Sequence, residues 1–272
     1  MMNFAQIGVL MGGNIYDPSY QSVLARAISL GYTLPSDAQK VKQNQLIINL
    51  KAANIWDSLD ILYVFATNGS SDFATINWKA PSSYQITKVN SPTHTSNVGY
   101  VFNGTTQYLN TGWIPSTNGV NFTLNESGGF VNEQVNLGVN TTAIFGAANS
   151  GVVNRILLNP RNASNTSSYS VNDNTGSVPA NANSVGFYHI LRTAASGAGS
   201  KQLYKDGVSL SSLDLASTGL ASVAVYIGAY NLQGTGASQY RASTVGVFGA
   251  GASLTGKESS LYTAWNTYFT SL

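Results

Sequence analysis

The sequence predicts a mainly β chain: an antiparallel β-sandwich or jelly roll preceded by a short helical N-terminal segment. Three observations carry this expectation. Beyond residue 75, short β-prone runs are punctuated by Asn-Gly, Gly-Gly, Asp-Asn and Ser-Gly pairs, the pattern of many short antiparallel strands. Before it, apolar residues recur at helical spacing behind helix start signals. Finally, Lys201 to Asp214 (KQLYKDGVSLSSLD) alternates apolar and polar residues around Asp206-Gly207, as a hairpin with a two-residue type I′ turn requires.

Residues 1–16 carry Phe4, Ile7, Val9, Leu10 and Ile15, too apolar for a solvated tail, and are expected to form an arm that docks on a partner or knits a homo-oligomer. Met11-Gly12-Gly13-Asn14 within it lacks the lysine and spacing of a phosphate loop. Residues 17–75 form the helical segment. Asp17-Pro18 supplies an N-cap and a first-turn proline, Val23, Leu24, Ala27 and Ile28 follow on one face, and Gly31 closes the helix. Ser36 with Gln39 starts a second helix as a capping box, continued by Val41, Leu46, Ile47, Leu50 and Ala53. The apolar run Leu59 to Phe65 fits a buried helix or a strand equally.

Residues 76–272 form the sandwich. Its expected strands are Gly99–Phe102, Gln107–Asn110, Val152–Leu158, Ser168–Val171, Phe187–Arg192, Gln202–Lys205, Val223–Ala229 and Thr244–Phe248. Asn172-Asp173-Asn174 reads as an exposed loop tip. A terminal helix is expected behind a Thr255/Glu258 capping box, with Leu261, Trp265, Tyr268 and Phe269 on one face.

Composition narrows the partners. The chain has 272 residues, enough for one large domain or one with a smaller appendage. Only 9% of them are charged, against ~25% in an average protein. Asn, Ser, Thr, Gly and Tyr fill the gap, giving a polar but uncharged surface with little field to steer ions. Net charge is +2 with scattered basic residues, which argues against nucleic acid. There is no cysteine, so disulfides and thiolate chemistry are excluded. No window approaches the ~18 apolar residues of a membrane span, and the N-terminus lacks a basic n-region.

No catalytic, metal-binding or cofactor-binding residue is assigned. Retaining glycosidases place two carboxyl groups ~5–5.5 Å apart. The glutamates here are Glu126, Glu133 and Glu258, with no E-x-D-x-x-E pattern. Asp57 and Asp60, three apart, are read as one face of a solvated helix end. His94 sits in a loop or strand edge, and His189 inside an apolar strand is read as packed with its nitrogens satisfied. Asn172, Asp173 and Asn174 offer oxygens for calcium, as an ordinary Asx-rich turn also does. Tyr100, Tyr108, Trp113, Tyr169, Tyr230 and Tyr240 fall near strand ends or loops, where rings serve as core, interface or sugar platform. Asn-x-Ser/Thr triplets recur at Asn68, Asn103, Asn121, Asn125, Asn140, Asn162 and Asn165, as so Asn-rich a chain produces by chance.

The series Phe187-Tyr188-His189-Ile190-Leu191-Arg192, Gln202-Leu203-Tyr204-Lys205-Asp206-Gly207, Val225-Tyr226-Ile227-Gly228-Ala229 and Thr244-Val245-Gly246-Val247-Phe248, closed by a helix, resembles the laminin-G-like members of the concanavalin-A-like lectin/glucanase superfamily. The stretch from Leu50 to Thr117, with Asn54-Ile55-Trp56, Asn77-Trp78-Lys79 and Tyr108-Leu109-Asn110-Thr111-Gly112, resembles a module of tailed-phage virion proteins. These resemblances imply a non-enzymatic structural protein of the virion: a head or tail fibre, decoration or adsorption component. They imply homo-oligomers and contacts with capsid or tail proteins, and no membrane insertion. The alternative is a carbohydrate-binding module for a host-surface glycan; a polysaccharide hydrolase stands third.

Overall fold

The computed structural model describes residues 16–176 and 178–272. Apart from Tyr16, the arm expected over residues 1–16 lies outside them.

Asp17 caps α1 (Pro18–Ser29), its carboxylate accepting from the Ser19 amide and pairing with Lys51 at 2.6 Å. Ser36 caps α2 (Asp37–Ala52) by accepting from the Gln39 amide. The expected box is only half made, because the Gln39 side chain donates to the Tyr268 hydroxyl instead. A one-turn helix, α3 (Pro115–Asn118), and a terminal helix, α4 (Glu258–Ser271), complete the α-helices of the described residues. Lys257 occupies the N-cap of α4 without a side-chain bond. The Thr255 box is therefore not formed: Thr255 shares a hydroxyl contact with Ser253, and Glu258 lies in the first turn, where its charge suits the helix dipole.

The strands of the described residues are β1 (Leu59–Val64), β2 (Thr87–Val89), β3 (Thr93–Thr95), β4 (Gly99–Val101), β5 (Tyr108–Asn110), β6 (Ser127–Glu133), β7 (Phe145–Asn149), β8 (Val153–Asn159), β9 (Ser168–Asp173), β10 (Gly186–Arg192), β11 (Lys201–Lys205), β12 (Val208–Leu213), β13 (Tyr226–Ile227), β14 (Tyr230–Leu232), β15 (Gly236–Ser238), β16 (Thr244–Val245) and β17 (Val247–Gly251). They build a mainly β sandwich. The first sheet runs β1-β17-β6-β10-β11-β12, antiparallel throughout. The second runs β9-β8-β7-β13-β5-β2, with β14 and β15 continuing beside β7. A small third sheet, β16-β4-β3, flanks them.

The ambiguous run from Leu59 is thus a strand, and alternation along it shows why it is apolar throughout. Ile61 and Tyr63 enter the core between the two large sheets, while Leu62 and Val64 enter a second core under the helices. Both faces of β1 are therefore buried. The helical side of the first sheet is covered by Leu24, Leu46, Ile47, Leu50, Trp265 and Tyr268. The resulting order is helices, first sheet, second sheet.

The Asp206-Gly207 hairpin forms as expected, with φ of 51° and 76° joining β11 to β12. The expected strand Val223–Ala229 shrinks to β13, and Thr244–Phe248 divides between β16 and β17. β6 and β7 were not expected. Ser127-Gly128-Gly129 has turn composition, yet it sits fully buried between β17 and β10. No helix among the described residues is long and apolar enough to cross a membrane.

Candidate functional site

Most of the residues singled out by sequence are structural. Tyr100, Trp113, Tyr169 and Tyr230 are buried. Asp60 lies on β1, not on a helix face with Asp57, and its carboxylate accepts from the amides of Val120, Asn121 and Phe122 at 3.1, 2.8 and 2.9 Å. Glu126 accepts from the Ser253 hydroxyl. His94 on β3 meets the Phe65 carbonyl oxygen at 2.9 Å, and burial lowers its pKa. His189 is 2% exposed on β10, and neither ring nitrogen has a partner among the described residues. That corrects the expectation of satisfied nitrogens, and burial alone pulls its pKa down to about 3.

Asn172-Asp173-Asn174 is exposed only at Asn174. Asn172 and Asp173 are each 1% exposed. The Asp173 carboxylate holds Arg192 at 3.2 Å and Lys201 at 3.0 Å. The Asn174 side-chain oxygen accepts from the Asn154 amide and the Thr218 hydroxyl. Two buried cations thus occupy the charge that a calcium ion would need. Burial, opposed by Asp173, brings the Lys201 ammonium down to about 8.

A second buried ion pair organises the opposite end of the sandwich. Arg241 donates through Nε to Glu133 at 2.7 Å, through Nη1 to Thr142 and Asn159 at 3.1 Å each, and through Nη2 to the Leu137 carbonyl at 3.0 Å. Both charges are fully buried; burial raises the Glu133 pKa while Arg241 opposes the rise. One guanidinium, a rigid fork of donors, so ties the loop before β7 to the end of β8. No sequence motif surrounds Arg241, and sequence reasoning missed it.

In front of this anchor, on the outer face of the second sheet, lies a cleft of about 380 Å³. Asn140, Thr141, Asn159, Ser168 and Gln239 line it over an apolar patch from Leu157, and no lining residue is ionisable. Asn159 is consumed by Arg241 and the Val139 carbonyl. In contrast, the side chains of Thr141, Ser168 and Gln239 make no hydrogen bond to described residues, and the Asn140 oxygen alone is engaged, by the Ala163 amide at 3.0 Å. Thr141 and Gln239 also hold left-handed backbone, φ 53° and 50°. Such conformations cost ~1–3 kcal/mol each and persist where the surroundings impose them, often at functional sites. The Ala143 amide, bonded to the Gln239 carbonyl at 2.8 Å, holds the two strained segments together.

Beside the cleft stands a tyrosine cluster. Leu109 and Ile227 point into the core, so alternation turns Tyr108 of β5 and Tyr226 of β13 to the outer face. Their rings stack with centroids 4.5 Å apart, and Tyr240 lies 6.2 Å from Tyr108. All three are half-buried. Burial, then the neighbouring Tyr108 hydroxyl, raises the Tyr226 pKa to about 12. Tyr108 and Tyr240 belong to the aromatics flagged by sequence; Tyr226, inside an expected strand, does not.

No protein-family model and no curated protein matches the chain. Its fold is similar to that of a part of Trypanosoma rangeli sialidase. A mutant displaying trans-sialidase activity superposes with a TM-score of 0.54 at 11% identity, covering 83% of this chain and 39% of that one. The sialidase in complex with sialic acid gives 0.53 at 12% identity over the same shares. Domain 4 of the GH43 extracellular arabinanase of Geobacillus stearothermophilus gives 0.45 at 12% identity, covering 75% of this chain and 98% of that one. The chain therefore spans well under half the length of the sialidases. The likeness overturns the expectation of a chain set apart from enzymes: this sandwich occurs within glycosidase chains, so the missing carboxylate pattern is no ground for that separation. The tailed-phage side of the resemblance gains no support from these structures.

Proposed function

We propose that this domain recognises uncharged glycans in the cleft in front of Arg241. The observation that carries the reading is the lining itself: amides and hydroxyls over an apolar floor, several without partners, and no ionisable group. Sugars offer the complement, hydroxyls that both donate and accept around an apolar ring face, and sites for small ligands combine an apolar surface with a few placed polar groups. The likeness in fold to a sialidase obtained with sialic acid bound supports carbohydrate as the ligand class only; this cleft has no cation to pair with that sugar's carboxylate, and the reading is therefore confined to uncharged glycans. A glycan array probed with the intact chain tests it, with reducing-end release measured on the same compounds. Binding that falls at least tenfold in Gln239→Ala, with unfolding temperature unchanged, supports the proposal. An array without a hit refutes it.

The setting we propose is a tailed-phage particle, with the domain as an oligomeric adsorption component touching capsid or tail proteins. The support is the texture of residues 50–117 and the uncharged, cysteine-free composition. Quantitative mass spectrometry of purified virions tests this part separately; absence from the particle removes it without touching glycan recognition.

A further inference from the structure

The cleft and the tyrosine cluster are separated by a single peptide bond. Gln239 lines the cleft, and the next residue, Tyr240, is packed against Tyr108. Both features lie on the outer face of the same sheet, across the strand order β9-β8-β7-β13-β5. At ~4.8 Å per strand, the distance from Ser168 on β9 to Tyr108 on β5 is about 19 Å, the length of about four pyranose units.

The two ends differ in chemistry. At the cleft, the Thr141 and Ser168 hydroxyls and the Gln239 amide offer directional hydrogen bonds. At the other end, three tyrosines offer ring surface and hydroxyls: Tyr240 donates to the Ala237 carbonyl, and Tyr226 feels both Tyr108 and Tyr240. Stacked, mutually buttressed tyrosines bring contact area at low entropy cost. Between Tyr226 and Leu157 the row holds Gly146, covered by the buried ring of Tyr230, which lies so close that a Cβ there would fall 2.7 Å from it.

We infer that cleft and tyrosines are two ends of one track, which takes an extended, unbranched neutral oligosaccharide of about four units instead of a single terminal sugar. The inference rests on the glycan reading above.

The test is a length series. Chito-, cello-, manno- and galacto-oligosaccharides of one to six units are titrated calorimetrically into the intact chain. The expected result, in the series that binds, is affinity rising about tenfold or more from the disaccharide to the tetrasaccharide and level thereafter; tenfold is the scale of one aromatic stacking contact. Tyr226→Ala is expected to lower tetrasaccharide affinity about tenfold and flatten the series. Equal affinity for monosaccharide and hexasaccharide overturns the track while leaving glycan recognition standing. If no series binds, the track falls; whether glycan recognition falls with it is decided by the array. Because the length dependence is read on the unaltered protein, a misfolded variant cannot mask the answer.

Discussion

Protonation of His189 should set the acid limit of this fold. Its imidazole is 2% exposed with no partner for either nitrogen, and its pKa falls from 6.5 to about 3 in the folded chain. A base whose folded pKa is depressed favours the native state only while neutral. The associated stability is complete above pH 6.5 and is lost as pH falls toward 3. At pH 5 the unfolded chain holds the proton and the folded chain does not, over 1.5 of those pH units, which costs about 2 kcal/mol at ~1.36 kcal/mol per unit. His189→Leu removes this term and the two unpartnered nitrogens together. Urea unfolding followed by the fluorescence of the four buried tryptophans, at pH 7.5 and pH 5, gives four free energies. The loss between the two pH values should be about 2 kcal/mol smaller in the variant. His94, also lowered by burial, is present in both proteins and cancels. An equal loss in variant and parent would falsify the assignment of His189 as a buried neutral base.

Two other substitutions probe anchors named above. Asp60→Ala strips the acceptor from three amides at 2.8–3.1 Å and should cost about 2–3 kcal/mol, since bonds to a charged group are worth ~1.5–3 kcal/mol; chemical denaturation that shows no change would show the cradle to be idle. Glu133→Ala leaves the Arg241 guanidinium buried without its counter-charge and should cost roughly 3–5 kcal/mol, together with glycan affinity, because Thr142 and Asn159 hang on the same guanidinium. A stable Glu133→Ala protein with intact binding would disconnect the ion pair from the cleft.

Local signals were legible. Asp17-Pro18 and Ser36 mark helix starts because capping is decided within four residues, and Asp206-Gly207 marks its hairpin because the turn needs two positive φ angles in succession. Features set by distant partners were not. Ser127-Gly128-Gly129 has the composition of a turn but becomes a central strand because β17 and β10 flank it. Leu59 to Val64 was ambiguous because a strand buried on both faces loses its alternation. Thr255 and Glu258 had the spacing of a box, yet the helix starts one residue after Lys257. The cleft was invisible for the same reason: its walls come from residues 140–142, 157, 159, 162, 168, 178 and 239, gathered by an arginine with no motif. Of its groups, Asn140 and Asn162 stand out in the sequence only as glycosylation triplets, and Leu157 and Ser168 only as strand residues.

The layer order also determines what the molecule shows to its surroundings. Tyr16, the first described residue, and α4, which ends at Ser271, both lie in the helical layer. The cleft and the tyrosines lie on the far face of the second sheet, about 20 Å away at ~10 Å per layer. Whatever is tethered through the C-terminal end of α4 sits behind the molecule and leaves the polar face turned outward. An immobilised or multimerised form built through Leu272 would therefore display every copy of that face to solution, an orientation in which weak single contacts add up to avidity.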